Sequence, residues 1–416
     1  MSRISLLWAR EIGDCTSCSF QKAEESQRVF DFQLSDDCQI QNVQTGGINS
    51  LHLDPVENRY LLCGSSDKLI VIYDTWNSTG KKSYTIQQIA VIGRPQHSRF
   101  AHQYSISCVQ WYQHDNAIFT TSSTDQSVKI WDANALRPAE TFKYKFIVNT
   151  HAMSPLASSH NMIAVGTSDS SVYLADMRTG SNSHILRGHR HPILAVRWSV
   201  SKEYEVATGS EDNRILLWDV RQARGHLLSF DQHNGKDRKS KKGSTAHNGH
   251  VNGICFSTDG LFMISTGTDN RLRLWNATTG QNTLTNYGRI ENSYKRPVQM
   301  SFNTDSNTVF VPSDRHVLHM NVQEGTLVKK LSGHFNRPTC CEFNPRNQEM
   351  YSGGQDGNIL VWGAPSTSIG DVTLPATNQG YDRLRSVVEP GNERTTEPRP
   401  TVDLTADTWS DDETDG

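Results

Sequence analysis

The chain has 416 residues, of which 35% are hydrophobic and 20% charged, and its formal net charge is -3 at pH 7. Its longest apolar runs, such as residues 69–73, are too short to cross a bilayer, and the first residues lack the apolar run of a signal peptide. Eight cysteines in a chain long enough to bury a large core indicate reduced thiols rather than a disulfide framework, so we expect a soluble intracellular protein without a membrane partner.

The N-terminal segment, residues 1–27, is predicted to lie outside the main fold. Ile4, Leu7 and Trp8 recur at helical spacing, which predicts a helix with one apolar face. That face can dock on a partner, or it can pack on the protein's own domain or fray. Cys15 and Cys18 form a CxxC pair without a second pair at zinc-ribbon spacing, so no metal site is predicted.

A repeat then runs through most of the chain. An Asp is followed seven residues later by Asp, Asn or Gly, and this pattern recurs at an average spacing of about 48 residues. Short alternating or β-branched runs broken by Gly, Ser, Asn and Asp fill each unit, which indicates four-stranded propeller blades. The seven repeated aspartates are Asp67, Asp125, Asp169, Asp212, Asp269, Asp314 and Asp356.

A second spacing marks four of the seven units. A His precedes the Asp by 22 or 23 residues, a Ser or Thr precedes it by four, and a Trp follows it by six. This is the WD-repeat pattern, and the resemblance implies that the four side chains form a hydrogen-bonded tetrad that holds the turn between the second and third strands. The sets are His102, Thr121, Asp125 and Trp131; His189, Thr208, Asp212 and Trp218; His247, Ser265, Asp269 and Trp275; and His334, Ser352, Asp356 and Trp362.

The sequence therefore predicts an all-β, seven-bladed propeller. Units one, three and six are degenerate, with Tyr73, Tyr173 or Leu318 near the Trp position. Nothing strand-like follows residue 363, so the outer strand of the last blade must come from elsewhere, and residues 28–34 alternate as such a strand should. The expected organisation is a helical docking segment at 1–27, a propeller at 28–363 closed by strand 28–34, and a tail at 364–416.

Two arginines are predicted to share one rim. Arg221 lies nine residues of extended chain beyond Asp212, about 30 Å away, and therefore at the end of the blade opposite the tetrad turn. Arg178 repeats the arrangement one blade earlier. Either the pair binds a partner, or each arginine is a solvated turn residue.

Two charged segments stand apart from the blades. Residues 236–242 carry Lys236, Arg238, Lys239, Lys241 and Lys242, which fit a solvated loop, a nuclear localisation signal or a contact with phosphates. From 371 to 416 there are 11 acidic residues and 4 arginines, with Pro and Thr interspersed, so this tail is expected to be disordered. Ser410, followed by three acidic residues, is a candidate phosphorylation site.

Longer stretches carry a more specific resemblance. The motifs GGIN at 46–49, SHILRGHR at 183–190, FDQHNGK at 230–236, AHNGHVNGICF at 246–256 and TWSDDE near the end are similar to the Cockayne syndrome group A family. The resemblance implies a nuclear WD-repeat substrate receptor of a cullin four RING ubiquitin ligase. Its adaptor contacts would be Leu6, Leu7, Trp8, Arg178 and Arg221.

The same resemblance implies a role in transcription-coupled nucleotide excision repair. The expected partners are the damaged-DNA-binding adaptor, cullin four and its RING subunit through that adaptor, and the group B remodelling ATPase and RNA polymerase II as clients. No nucleophile elbow, phosphate loop or zinc motif is present, so neither catalysis nor a cofactor is predicted. The alternative is a propeller that binds damaged DNA or chromatin directly.

Overall fold

A computed structural model describes residues 8, 10–13, 16–76, 83–94, 99–222, 225–235 and 245–365. The chain divides into two compact units, Met1–Ser366 and Thr367–Gly416. The basic loop at 236–242, Ser410 and the acidic tail beyond Pro365 lie outside the described residues.

Helix α1 (Ser17–Phe30) is fully described and precedes the strands. The Thr16 hydroxyl accepts a hydrogen bond from the Ser19 amide at 3.2 Å and so caps the first turn. The helix stops at Asp31, and Val29 is its buried residue. No helix among the described residues has the length and apolar character that a membrane span requires.

In the described residues, the strands form seven antiparallel sheets arranged as the predicted propeller, and one additional two-stranded parallel sheet. The seven blades confirm the predicted fold. β1 (Gln33–Leu34) and β2 (Cys38–Ile40) follow α1. Blade 1 contains β3 (Ile48–Leu53), β4 (Tyr60–Ser65), β5 (Ile70–Asp74) and β7 (Gln88–Ile92), and β6 (Tyr84–Ile86) pairs in parallel with β2. Blade 2 contains β8 (Ile106–Trp111), β9 (Ile118–Ser123), β10 (Ser127–Asp132) and β11 (Arg137–Lys143).

The next two blades are also four-stranded. Blade 3 contains β12 (Val148–Met153), β13 (Met162–Thr167), β14 (Ser171–Asp176) and β15 (Ser181–Arg187). Blade 4 contains β16 (Ile193–Trp198), β17 (Glu205–Ser210), β18 (Ile215–Asp219) and β19 (Leu228–Ser229).

The last three blades complete the ring. Blade 5 contains β20 (Val251–Phe256), β21 (Phe262–Gly267) and β22 (Arg271–Asn276), and a single bridge between Trp275 and Asn282 stands where its fourth strand would be. Blade 6 contains β23 (Ser301–Phe302), β24 (Thr308–Ser313), β25 (His316–Asn321) and β26 (Leu327–Ser332). Blade 7 contains β27 (Pro338–Asn344), β28 (Glu349–Gly354), β29 (Ile359–Gly363) and, at its outer edge, β1.

The N-terminal segment supplies the outer strand of blade 7, but the predicted extent of that strand, 28–34, was wrong. Residues 28–30 belong to α1, and only Gln33 and Leu34 pair with β29. The reason lies in the two buried side chains, Val29 and Phe32, which are three residues apart and so fit the exit of a helix rather than a strand. The boundary between the helical segment and the propeller therefore falls after α1, not at residue 27.

The core is divided among the joints between blades. Seven clusters of buried hydrophobic side chains occur among the described residues, and each joins two neighbouring blades. The cluster between blades 6 and 7 includes Val29 and Phe32, and Phe32 stacks on Phe310 with ring centroids 5.6 Å apart. Burial of apolar surface at every joint holds the ring together, and α1 is part of one joint.

Candidate functional site

Each blade presents the same two ends. Because the strands of a blade are antiparallel, the turn between its second and third strands and the loop that leads into its first strand lie at one end. We call this end of the ring the tetrad face. The remaining turns form the opposite face.

Blade 2 shows how a tetrad is built. The Trp131 indole N–H donates to the Thr121 hydroxyl oxygen at 2.8 Å, and that hydroxyl lies 2.8 Å from Nε2 of His102. Nδ1 of His102 lies 2.8 Å from the Asp125 carboxylate. Because a carboxylate only accepts, Nδ1 carries the proton and Nε2 accepts from the hydroxyl, which gives one continuous chain of hydrogen bonds.

The same chain recurs in blades 4, 5 and 7, with corresponding distances between 2.7 and 3.2 Å. Its members are His189, Thr208, Asp212 and Trp218; His247, Ser265, Asp269 and Trp275; and His334, Ser352, Asp356 and Trp362. In all four blades the residue after the His donates its amide N–H to the Asp; these residues are Gln103, Arg190, Asn248 and Phe335. Each tetrad therefore also fixes a loop on the tetrad face.

Burial determines the protonation state of two of the tetrad histidines. Burial lowers the pKa of His102 and of His247, so both rings are neutral at pH 7. Burial alone would raise the pKa of Asp125, but hydrogen bonds from His102, Ser127 and the Gln103 amide outweigh it and hold that pKa well below its usual range. Within the described part of the chain, no group of three or more His, Cys, Asp or Glu is placed to hold a metal ion.

Blade 1 contains a substituted tetrad that sequence reasoning missed. Gln44 stands 23 residues before Asp67, at the His position, and Cys63 stands at the Ser/Thr position. The Gln44 amide donates to Cys63 Sγ at 3.0 Å, and the Tyr73 hydroxyl donates to Gln44 Oε1 at 3.0 Å. The offsets from Asp67 were the signal that would have revealed this set.

In blades 3 and 6 the turn aspartate interacts with a tyrosine or an arginine instead of a tetrad histidine. In blade 3 the Tyr173 hydroxyl donates to the Asp169 carboxylate at 3.3 Å. In blade 6 the half-exposed Asp314 lies 3.7 Å from the Arg337 guanidinium. The turn carboxylate of blade 6 is therefore part of the surface of the tetrad face.

The two rim arginines lie on the opposite face, on neighbouring blades. Arg221 follows β18, donates to the Asp219 carboxylate from Nε and from a terminal nitrogen at 3.0 and 2.7 Å, and packs over the Tyr204 ring at 4.5 Å. Its side chain is nevertheless 63% exposed. Arg178 follows β14 in the same way and is exposed. Arg221 is thus held in one pose with its charge open to solvent.

The N-terminal elements lie at another part of the ring. Leu6 and Leu7 fall outside the described residues, whereas Trp8 is 65% exposed. α1 packs on blades 6 and 7, and Ser26 in this helix donates to Asp305, in a turn of the opposite face, at 3.1 Å. Blades 3 and 4 lie across the ring from blades 6 and 7, so the structure does not bring α1 and the two arginines together.

Trp76 is an exposed aromatic residue of the opposite face that sequence reasoning missed. It occupies in blade 1 the position that Arg221 occupies in blade 4, two residues after the last Asp of the third strand. The Arg346 guanidinium lies 3.6 Å from the centre of its ring, and Arg59, paired with Asp74 at 2.7 Å, lies 5.3 Å from it. These contacts hold an aromatic ring at the surface between blades 1 and 7.

The inner strands line a central channel that contains several polar groups. A cavity of ≈ 190 Å³ there is bordered by side chains that include His52, Cys108, Arg197, Gln299 and Glu342. Burial raises the pKa of Glu342 to about 7, although the Leu53 amide and Gln299 donate to its carboxylate.

Comparison with known proteins agrees with this geometry. The family described as WD domain, G-beta repeat matches residues 93–132, 180–219, 239–276 and 325–363, which contain the four tetrad aspartates. The WD repeat-containing protein ATCSA-1 of Arabidopsis thaliana is 31% identical to the chain over 86% of the chain and 94% of its own length. The chain belongs to the WD-repeat family.

Other relatives cover only part of this WD-repeat protein. Ribosome biogenesis protein WDR12 homolog of Drosophila mojavensis is 29% identical over 46% of the chain and 45% of its own length. Radiation-sensitive protein 28 of Saccharomyces cerevisiae is 26% identical over 42% of the chain and 38% of its own length. The similarity to ATCSA-1, in contrast, extends across nearly the whole of both chains.

Proposed function

We propose that this WD-repeat protein is the substrate receptor of a cullin four RING ubiquitin ligase that acts in transcription-coupled nucleotide excision repair. The receptor binds the damaged-DNA-binding adaptor on its opposite face. It holds repair factors, such as a group B type remodelling ATPase at stalled RNA polymerase II, on its tetrad face in the nucleus. The ubiquitin-conjugating enzyme supplies the chemistry, and the receptor contributes proximity.

The observation that carries this proposal is the similarity to ATCSA-1 over nearly the full length of both chains. A ring with seven hydrophobic joints is rigid, so its two faces keep a fixed separation. Exposed side chains on fixed backbone are found on both faces, as at Arg221 and Phe335. A rigid body with two binding faces is suited to bridging a ligase and its client.

The adaptor side of the proposal includes two exposed arginines and the exposed side chain of Trp8. Arg221 and Arg178 offer charge on blades 3 and 4, while Trp8 precedes the helix on blades 6 and 7. An adaptor that contacts both regions spans the full width of the opposite face. Loss of either region alone is therefore expected to weaken the complex rather than abolish it.

Co-purification with the recombinant adaptor tests this proposal. The variants are the double substitution Arg178→Glu and Arg221→Glu, and a deletion of residues 1–15 that leaves the Thr16 cap of α1 in place. Each is expected to lower adaptor affinity by tenfold or more, as loss of central interface residues does. The matched control is Arg190→Glu, an exposed arginine of the tetrad face on the same blade as Arg221.

Two results would oppose the proposal. Unchanged adaptor affinity in both variants removes the opposite face from the interface. Salt-dependent binding of naked duplex DNA by the wild-type protein, together with no adaptor binding, favours the alternative function of a direct DNA or chromatin binder.

A further inference from the structure

An exposed aromatic side chain stands on the loop that leads into blade 7. Phe335 is 85% exposed, although its backbone is fixed because its amide N–H donates to the tetrad carboxylate of Asp356 at 3.0 Å. His334, the residue before it, is a buried tetrad member. The tetrad therefore presents a large apolar ring to solvent from a loop whose position is already set, and little loop ordering remains to oppose its burial by a partner.

Two arginines pack against a second aromatic residue beside this loop. The guanidinium groups of Arg337 and Arg296 lie 5.1 and 5.6 Å from the centre of the Tyr294 ring. The Tyr294 carbonyl accepts a hydrogen bond from the Asn252 side chain at 2.8 Å, which ties this loop to the inner strand of blade 5. The two loops thus form one surface across blades 6 and 7, which we call the Phe335 surface.

The Phe335 surface carries an excess of positive charge. Residues 291–296 and 333–337 of its loops and the neighbouring turn at 314–315 contain four cations, Lys295, Arg296, Arg315 and Arg337, and two carboxylates, Glu291 and Asp314. Asp314 lies 3.7 Å from Arg337. Lys295, Arg296 and Arg315 make no ion pair with any residue in the described part of the chain, so their charges are available to a ligand.

Arg296 also extends the surface toward the channel. It borders a cavity of ≈ 320 Å³ at the mouth of the channel, together with Asn49, Asn149 and Thr339. Guanidinium, amide and hydroxyl groups at this mouth suit carboxylate or backbone groups of a ligand. The Phe335 surface therefore combines an apolar anchor, unpaired cations and a polar recess.

We propose that the Phe335 surface binds an acidic peptide segment that carries an apolar side chain, supplied by a client of the receptor. The apolar side chain packs on Phe335, and the carboxylates lie against Arg296, Arg337 and their neighbours. A protein segment fits better than a nucleic acid, because Glu291 and Asp314 interrupt the cations and a phosphate backbone requires a continuous track of positive charge. This inference rests on the proposed function in one respect, namely that clients bind the tetrad face.

Fluorescence anisotropy with defined peptides tests the inference. The probe is a labelled peptide of about twelve residues, long enough to span roughly 40 Å when extended, composed of Asp and Glu with a central Leu-Phe pair. Its comparison peptides replace Leu-Phe by Ala-Ala, or every acidic residue by Asn. The acidic apolar peptide is expected to bind most tightly, and added salt is expected to weaken its binding.

Surface variants identify the site of peptide binding. Phe335→Ala and Arg296→Glu are each expected to weaken binding by about tenfold or more, in the range of interface anchor residues. The controls are Leu261→Ala and Arg346→Glu, which change an exposed leucine and an arginine of the opposite face and are expected to leave peptide affinity unchanged. All four residues are at or near the surface, so folding is not at risk.

Three outcomes overturn the inference. They are absent or equal binding of the three peptides, unchanged affinity in Phe335→Ala and Arg296→Glu, and tighter binding of a duplex DNA of similar length that the same two variants weaken. The Phe335→Ala variant must also retain the adaptor. If the wild-type protein binds the peptide but not the adaptor, the proposed function fails while the peptide site stands.

Discussion

Replacing Thr121 with valine is expected to lower the free energy of unfolding by about 3 kcal/mol. The Thr121 hydroxyl accepts from the Trp131 indole at 2.8 Å and lies 2.8 Å from His102 Nε2, and all three side chains are buried. Valine keeps the shape of threonine but leaves one buried donor and one buried acceptor without partners, each at a cost of roughly 1–3 kcal/mol. Both partner nitrogens belong to buried aromatic side chains, Trp131 and His102, so neither can rotate to reach another group.

Thr121→Ser is the matched control for this substitution. Serine keeps the hydroxyl and loses one methyl group, which costs about 1 kcal/mol. Urea unfolding followed by circular dichroism gives the midpoint and the slope for each variant. A valine variant as stable as the serine variant would refute the reasoning, because it would show that the tetrad hydrogen bonds contribute nothing beyond packing.

Two further predictions concern the joint between blades 6 and 7. Burial lowers the pKa of His319 to about 4, and both ring nitrogens lack hydrogen-bond partners within the described residues, so the ring is neutral in the folded state. Unfolding then takes up a proton at His319 below pH 6.5, so this residue alone lowers the free energy of unfolding by about 2 kcal/mol at pH 5 relative to pH 7.5. His102 and His247, whose pKa values burial also lowers, add to the total loss. His319→Phe is therefore expected to reduce the total loss by about 2 kcal/mol in urea titrations at the two pH values. An unchanged pH dependence would contradict this. Phe32→Ala is expected to cost about 3–4 kcal/mol, because Phe32 is fully buried and stacks on Phe310, whereas Phe30→Ala, at a 44% exposed position, is expected to cost less than about 1 kcal/mol. Equal losses of unfolding free energy in the two variants would show that Phe32 contributes no more to the joint than an exposed phenylalanine does.

The repeated spacing made the ring predictable from sequence. A tetrad needs a His, a hydroxyl, an Asp and a Trp at set offsets, and those offsets survive in four blades whatever the loops between them contain. The degenerate blades 1, 3 and 6 adopt the same strand arrangement because neighbouring blades supply hydrophobic partners at each joint. The fold therefore depends on burial between blades, and the tetrads add directional hydrogen bonds to it.

The N-terminal segment shows where sequence patterns were insufficient. Residues 28–34 alternate as a strand does, yet the end of α1 buries Val29 in the joint and only two residues pair with β29. Packing against blades 6 and 7 decided the outcome, and no local pattern contains that information.

Two surface features were equally hidden in the sequence. Trp76 and Phe335 are single aromatic residues in turns. Only the folded ring places Arg346 over Trp76 and fixes the backbone of Phe335 through the Asp356 carboxylate. The repeat spacing placed Arg178 and Arg221 on neighbouring blades, but it gave no position for α1. Only the structure shows that α1 packs on blades 6 and 7, across the ring from the two arginines.

Hydrogen–deuterium exchange of the whole protein with and without the purified adaptor tests the central proposal most directly. We expect slower exchange on the opposite face, at α1 and in the turns after β14 and β18, with the tetrad-face loops around Phe335 unchanged. Slower exchange confined to the tetrad-face loops, or no change at any amide under saturating adaptor, would contradict the assignment of the two faces.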